Sequence, residues 1–323
     1  MNKKDLRIVY LGTPDFATSS LKRIVEEGYN VVGVVTTPDK PIGRHQNHLC
    51  PSPVKKYAES AGLSLLQPQN LKSQDFLNQL KEWRADLQIV VAFRMLPEVV
   101  WNMPRYGTFN LHASLLPQYR GAAPINWAII NGERETGITT FFLNHSIDTG
   151  DIIDQIHVPI NEKDSFGDVH DKLMNLGADL VVNTLEQILH GTVKTKPQAL
   201  FPFNKENLKA APKIFRDTCR IQWTKDSSSI YNFIRGLSPS PAAWTILKTD
   251  NKEEVTKIFK TRKATSSSEL PAGVISSDGK TYMKVGTAEG VLEILELQVA
   301  GKKRMTIADF LRGYKLPGNS YME

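Results

Sequence analysis

Cysteine is nearly absent from this chain: Cys50 and Cys219 are the only two in 323 residues. They stand far apart, outside any Cys-x-x-Cys or Cys/His spacing, which argues against a disulfide framework or a zinc site. No apolar run approaches the ~20 residues that cross a bilayer as a helix. Neither Gly-x-Gly-x-x-Gly nor Gly-x-x-x-x-Gly-Lys-Ser/Thr occurs, so the usual phosphate-cradling loops of nucleotide sites are missing. The seven histidines form no His-Glu-x-x-His pair, and no Gly-x-Ser-x-Gly elbow marks a serine hydrolase. Internal repeats and low-complexity tracts are also lacking. The opening residues Met1-Asn2-Lys3-Lys4-Asp5 run straight into a strand-like segment without an apolar leader region, so a reducing cytoplasm is the expected location.

What is present is ordinary for a globular protein: 41% hydrophobic and 23% charged residues, at a length that accommodates two cores. The net charge of +6 is unevenly spread. Residues 1–192 hold 18 Lys and Arg against 21 Asp and Glu, a balance of −3, whereas residues 193–323 hold 22 against 13, a balance of +9. A basic half is often only a well-solvated surface. It also suits an acidic partner such as nucleic acid.

Up to about residue 190 the chain alternates between short apolar runs and helical patterns. Leu6–Leu11, Val31–Val35, Leu87–Ala92 and Gly107–His112 read as strands. Stretches through Leu21–Val25, Pro53–Ala61, Ser73–Arg84 and Pro124–Asn131 read as helices. Thr136–Leu143 and Asp151–Pro159 read as a strand pair around a Ser146–Gly150 turn. A long helix opens near Ser165, with Val169, Leu173, Leu176 and Leu180 on one stripe, and stops at His190-Gly191. Uniformly apolar strands between helices predict an α/β fold, a Rossmann-like, mostly parallel sheet covered on both faces. Ligands of such sheets sit at the carboxyl ends of the strands.

Beyond Phe201 the texture changes. Pro202, Pro212 and a lysine-rich stretch suggest a linker over 193–207 between a first domain, 1–192, and a second, 208–323. In the second, one helix (Ser228–Arg235) precedes short β-type runs at Trp244–Leu247, Val255–Phe259, Gly273–Ser276, Tyr282–Val285 and Val291–Leu297. Short strands with Gly and Asp turns predict a small β-barrel.

The chemistry concentrates in "FNLHASLLPQYRGAAP". Asn110 and His112 stand two apart at a strand end, which puts both side chains on one face. An amide donates hydrogen bonds without titrating, as stabilising an oxyanion requires. An imidazole exchanges protons near neutral pH. The stiff Ser114-Leu115-Leu116-Pro117 segment follows, then Arg120-Gly121. The turn Ser146-Ile147-Asp148-Thr149-Gly150-Asp151 offers carboxylates to orient the imidazole. Spacing alone leaves a plainer reading open, in which Asn110 caps a turn, His112 packs and Asp148 shapes a bend.

"FNLHASLLPQYRGAAPINWAI" together with "IDTGDII" resembles the formyltransferase family that uses 10-formyltetrahydrofolate. The similarity continues through "VYLGTPDFA", "TPDKPIGR", "PSPVKKYA", "GLSPSPAAW" and "VAGKKRM", covering nearly the whole chain, and is to members acting on methionyl-initiator tRNA. The resemblance implies a catalytic set of Asn110, His112 and Asp148, with no metal, in which Asn110 and His112 stabilise the oxyanion and Asp148 holds His112 and helps relay protons through a water. It implies a folate wall from Ser114, Leu115, Leu116 and Pro117, with Phe93, Met95 and Leu96 near the pterin. It implies an OB-like second domain and a loop carrying Arg44 that enters the tRNA acceptor stem. The basic excess of the second half, with Lys209, Lys213, Arg216, Arg220, Lys302, Lys303 and Arg304, is expected to follow the tRNA backbone. A monomer is expected. Two segments depart from the family pattern. Ala92-Phe93-Arg94-Met95-Leu96-Pro97 is one residue short, and the usually lysine-rich loop after Gly43-Arg44 reads His45-Gln46-Asn47-His48. Formylation of a small amine, such as glycinamide ribonucleotide or an amino sugar nucleotide, is the alternative within this chemistry, and the basic second half speaks against it. A folate-binding regulator without turnover is a different class, disfavoured by the intact Asn110/His112/Asp148 set.

Overall fold

A computed structural model describes residues 2–42, 48–201, 207–250, 252–264 and 270–323. Arg44 and the His45–Asn47 stretch therefore lie outside the described residues. The first half runs β1 (Arg7–Gly12), α1 (Asp15–Glu26), β2 (Asn30–Val35), α2 (Pro53–Ser60), β3 (Leu65–Leu66), α3 (Gln74–Glu82), β4 (Leu87–Val91), β5 (Thr108–His112), α4 (Pro124–Ile130), β6 (Glu135–Phe142), β7 (Ile152–Pro159) and α5 (Phe166–His190). The second half adds α6 (Ser227–Leu237), β8 (Ala243–Thr249), β9 (Lys252–Lys263), β10 (Ile275–Ser277), β11 (Met283–Gly286), β12 (Val291–Val299), β13 (Met305–Thr306), α7 (Ile307–Gly313) and β14 (Tyr321–Met322).

The chain forms two compact units: 1–121, 136–158 and 170–210 make the first, and 122–135, 159–169 and 211–323 the second. A single cut at 193–207 does not reproduce this division. Residues 122–135 and 159–169, early in sequence, pack with the second unit, while Lys209 stays in the first. Nor is the expected linker a plain tether. Lys196 exchanges two backbone hydrogen bonds with Ile152, at 2.8 and 2.9 Å, and Gln198–Leu200 forms a 3-10 turn.

The first unit is built on a sheet of order β7-β6-β5-β4-β1-β2-β3. Strands β3, β2, β1, β4 and β5 are parallel and β6 runs antiparallel to β5. Every residue of β4 is buried, as expected for a central strand covered on both faces. Helix α1 turns Phe16, Ala17, Leu21 and Ile24 to the core, and α5 buries Val169, Leu173, Leu180 and Leu185.

The second unit wraps a mostly antiparallel sheet, β10-β11-β12-β9-β8-β14, with β13 on β12. A bridge between Val274 and Tyr321 links its two ends and nearly closes a barrel. Helix α6 starts at Asp226, whose side chain accepts from Ser229 N at 2.9 Å, and buries Ile230, Ile234 and Leu237 in the barrel core. Helix α4 crosses α6 closely: Asn126 Nδ2 donates to Gly236 O at 2.8 Å. Helix α7, seven residues long and capped by Thr306, has no counterpart in the sequence reading.

Candidate active site

Strand β5 is held between β4, where Asn110 lies opposite Val90, and β6, where His112 lies opposite Thr139. Asn110 and His112 share one face. Asn110 is half-buried and engages no side-chain partner among the described residues. His112 is 7% exposed and meets Phe141 edge-on, ring centroids 6.4 Å apart.

The imidazole is oriented from both sides. Its Nε2 lies 2.9 Å from Tyr119 O. A carbonyl only accepts, so Nε2 carries the hydrogen and Nδ1 of the neutral ring presents a lone pair. Nδ1 faces Asp148 Oδ2 at 4.0 Å. Tyr119 is itself placed by its N–H, which donates to Lys209 O at 2.7 Å.

Asp148 reaches this position through its backbone. Its φ is +53°, in the left-handed region that disfavours residues with a Cβ. Gly121 N donates to its Oδ2 at 2.9 Å. Two residues on, a side chain at Gly150 would place Cβ 1.6 Å from Phe142 O, so the turn admits only glycine there. Beside it, burial pushes the Arg120 guanidinium below its ordinary value, and the carboxylate of Asp148 opposes that shift.

The Ser114–Pro117 segment is rigidly supported. Thr139 Oγ1 donates to Ser114 O (2.7 Å) and accepts from Leu116 N (3.2 Å) and Gln155 Nε2 (2.8 Å). Gln155 also donates to Leu116 O at 3.0 Å. Ser114 Oγ is turned inward onto Gln118 O, and Leu116 packs with Phe141 and Ile152, so these two side chains serve the core; a ligand along this segment meets Leu115 and the backbone. Pro117 follows a cis peptide bond and is buried.

Phe93, Met95 and Leu96 are placed less uniformly. Leu96 is core and Phe93 packs against the same cluster, whereas Met95 is 77% exposed. The short Phe93–Leu96 segment is anchored by Arg94, which donates to Gln69 O and Pro68 O and whose charge is disfavoured by burial. Met95 and Leu96 line an open cavity of about 830 Å³ between residues 69–72 and 94–99. Asn110, His112 and Ser114–Pro117 do not line it. No group of three His, Cys, Asp or Glu among the described residues is arranged to hold a metal ion.

The basic candidates also divide. Lys213, Lys302 and Lys303 are exposed, and the two last make no ion pair among the described residues. Arg304 is paired to Glu296 at 2.5 Å and lies 4.4 Å over the Phe259 ring. Arg220 pairs with Glu323, and both it and Arg216 stack near Trp244.

Sequence reasoning missed Thr139, Gln155 and Gln198. Gln198 is 4% exposed and bonds to the Asp148–Gly150 turn and to Arg120. These residues act by side-chain hydrogen bonds that carry no periodic signal.

The formyl transferase family profile matches residues 6–185, and the formyl transferase C-terminal domain profile matches 213–315. The chain is 62% identical over 324 residues to the methionyl-tRNA formyltransferase of Phocaeicola vulgatus, covering all of both chains. It is 50% identical to that of Flavobacterium johnsoniae, over 95% of this chain and 96% of the relative. Among solved structures, the sugar 3N-formyl transferase WlaRD, determined in the presence of dTDP and 5-N-formyl-THF, has the same fold. Its TM-score is 0.63 at 21% identity, over 92% of this chain and 99% of that one. HypX of Aquifex aeolicus, in complex with tetrahydrofolic acid, matches at TM-score 0.62 and 19% identity, over 97% of this chain and 48% of that one. With a parallel-sheet unit, a nearly closed barrel and full-length relatives at this identity, the chain belongs to the methionyl-tRNA formyltransferase family.

Proposed function

We propose that this protein transfers the formyl group of 10-formyltetrahydrofolate to the amino group of methionyl-initiator tRNA, using Asn110, His112 and Asp148. The observation that carries the assignment of roles is the orientation of His112, with Nε2 on Tyr119 O and Nδ1 toward Asp148. Attack of the amine nitrogen on the formyl carbon forms a tetrahedral oxyanion. The Asn110 amide, without a side-chain partner among the described residues, donates to that oxygen. His112 Nε2–H is already engaged, so the ring acts first through Nδ1, which takes the proton lost by the attacking amine. Asp148 stabilises the imidazolium that results. Nδ1–H then returns the proton to N10 of the folate as the carbon–nitrogen bond breaks, leaving formylmethionyl-tRNA and tetrahydrofolate. This assigns His112 to proton transfer, whereas the resemblance implies that it stabilises the oxyanion together with Asn110.

Leu115 and the backbone of 114–117 would form one wall of the folate site, and the basic surface of the second unit would hold the tRNA. The deciding experiment supplies 10-formyltetrahydrofolate with either methionyl-tRNA or glycinamide ribonucleotide. Formylation of methionyl-tRNA alone is expected. Formylation of the ribonucleotide alone would reassign the acceptor to a small amine.

A further inference from the structure

Side-chain amides belong mostly to protein surfaces, yet Gln198 is buried in its 3-10 turn, 50 residues beyond Asp148. Every polar position of its amide is occupied. Nε2 donates to Asp148 O and to Gly150 O, both at 2.9 Å. Oε1 accepts twice from Arg120, from Nε at 3.1 Å and from Nη2 at 2.5 Å. One side chain thus ties both ends of the Asp148–Gly150 turn to the guanidinium that senses the Asp148 carboxylate.

Asp148 is the residue of that turn in a disfavoured backbone conformation. Such a conformation persists only where the surroundings over-determine it. Gly121 N holds its side chain and Gln198 holds its carbonyl. We propose that Gln198 is a positioning residue for formyl transfer, one that keeps the Asp148 carboxylate aimed at His112 Nδ1. This rests on the catalytic reading given above. Glutamine is suited chemically because the place needs two donors and two acceptor sites at the end of a flexible arm. Glutamate would satisfy Arg120 but set its anion against two carbonyl oxygens. Methionine would fill the volume and make none of the four hydrogen bonds.

The test compares full-length Gln198→Glu, Gln198→Met and His112→Ala in steady-state formylation of methionyl-tRNA, with thermal melts alongside. Both Gln198 variants should melt cooperatively and lose kcat by roughly 10- to 100-fold, the scale of a small misplacement of a catalytic group. KM for methionyl-tRNA and for the formyl donor should stay within about twofold, since binding surfaces are untouched. Equal losses in the two variants assign the effect to the carbonyl bonds, because Gln198→Glu retains an acceptor for Arg120. Full kcat in both, beside an inactive His112→Ala, overturns this inference alone. A loss in Gln198→Met but not in Gln198→Glu overturns it in favour of Arg120, and failure of both to fold assigns Gln198 to stability instead. Normal turnover in His112→Ala overturns the catalytic reading, and this inference with it.

Discussion

His112 Nδ1 and Asp148 Oδ2 face each other at 4.0 Å, close enough to couple electrostatically and too far for a direct hydrogen bond. In the neutral ring that nitrogen carries no hydrogen to donate, so the gap is what the Nε2–H tautomer requires. Protonation of Nδ1 would turn the contact into an ion pair. The proposed proton transfer runs through this one ring nitrogen.

Three substitutions test that division of roles. His112→Ala should lower kcat by about 10²- to 10⁴-fold, the usual worth of general acid–base catalysis. Asn110→Ala should lower it by about 10²- to 10³-fold, as for other oxyanion donors. Asp148→Asn keeps the shape that accepts from Gly121 N but removes the charge, so turnover should fall while the fold survives. Single-turnover formylation at saturating tRNA is the measurement. Near-normal rates for His112→Ala would remove the imidazole from the reaction.

Gly150→Ala probes the turn without touching a reacting group. Its Cβ would sit 1.6 Å from a backbone oxygen that cannot yield like a flexible side chain. Overpacking of this kind costs roughly 1–3 kcal/mol, or displaces the turn. A lowered melting temperature together with a reduced kcat is expected. Wild-type stability and activity would show that the turn is looser than its packing implies.

The parallel sheet and the Asn110/His112 pair were legible in the sequence, because buried strands read as unbroken apolar runs and strand period places residues two apart on one face. The grouping of residues 122–135 and 159–169 with the second unit was not. Pro124–Ile130 reads as one more helix of the first half, yet Asn126 and Gly236 meet across a helix crossing 110 residues apart in sequence. The supports of the site were also hidden. Thr139, Gln155 and Gln198 are polar residues of types common on surfaces, and nothing in their spacing distinguishes a buried amide with four hydrogen bonds from a solvated one. The resemblance implies a folate wall from the whole Ser114–Pro117 segment, but the Ser114 and Leu116 side chains turn inward, which no spacing signals.

Asp39 gives a pH dependence with a defined sign. Hydrogen bonds from Lys55 at 2.6 Å and from Gln67 at 2.8 Å hold its carboxyl below its ordinary value of 3.8. A carboxyl lowered in the folded state contributes stability above its unfolded value and loses it as pH falls through the folded one. The melting-temperature advantage of wild type over Asp39→Asn should therefore be full above about pH 5 and shrink progressively below pH 4. An advantage that grows on acidification would contradict the pairing.

Salt dependence tests the second unit. Lys302 and Lys303 stand on the turn between β12 and β13, which is closed by Lys302 N donating to Val299 O at 3.0 Å and Gln298 Nε2 donating to Lys302 O at 2.8 Å. Neither ammonium has an acidic partner among the described residues, whereas the neighbouring Arg304 is already matched to Glu296. Unpaired charge of one sign opposes compaction, so folding does not require these two lysines. If these lysines follow an RNA backbone, each neutralised phosphate releases counterions, and removing a contact reduces the slope of log Kd against log salt by about 1. Lys302→Ala with Lys303→Ala should weaken tRNA binding and flatten that slope by about 2, leaving kcat at saturating tRNA nearly unchanged. Arg304→Ala should flatten it less, because part of its charge is spent on Glu296. Filter binding across a salt series separates the outcomes. An unchanged affinity and slope in the double lysine variant would take this turn off the RNA path, and a drop in kcat at saturation would instead tie it to the chemical step.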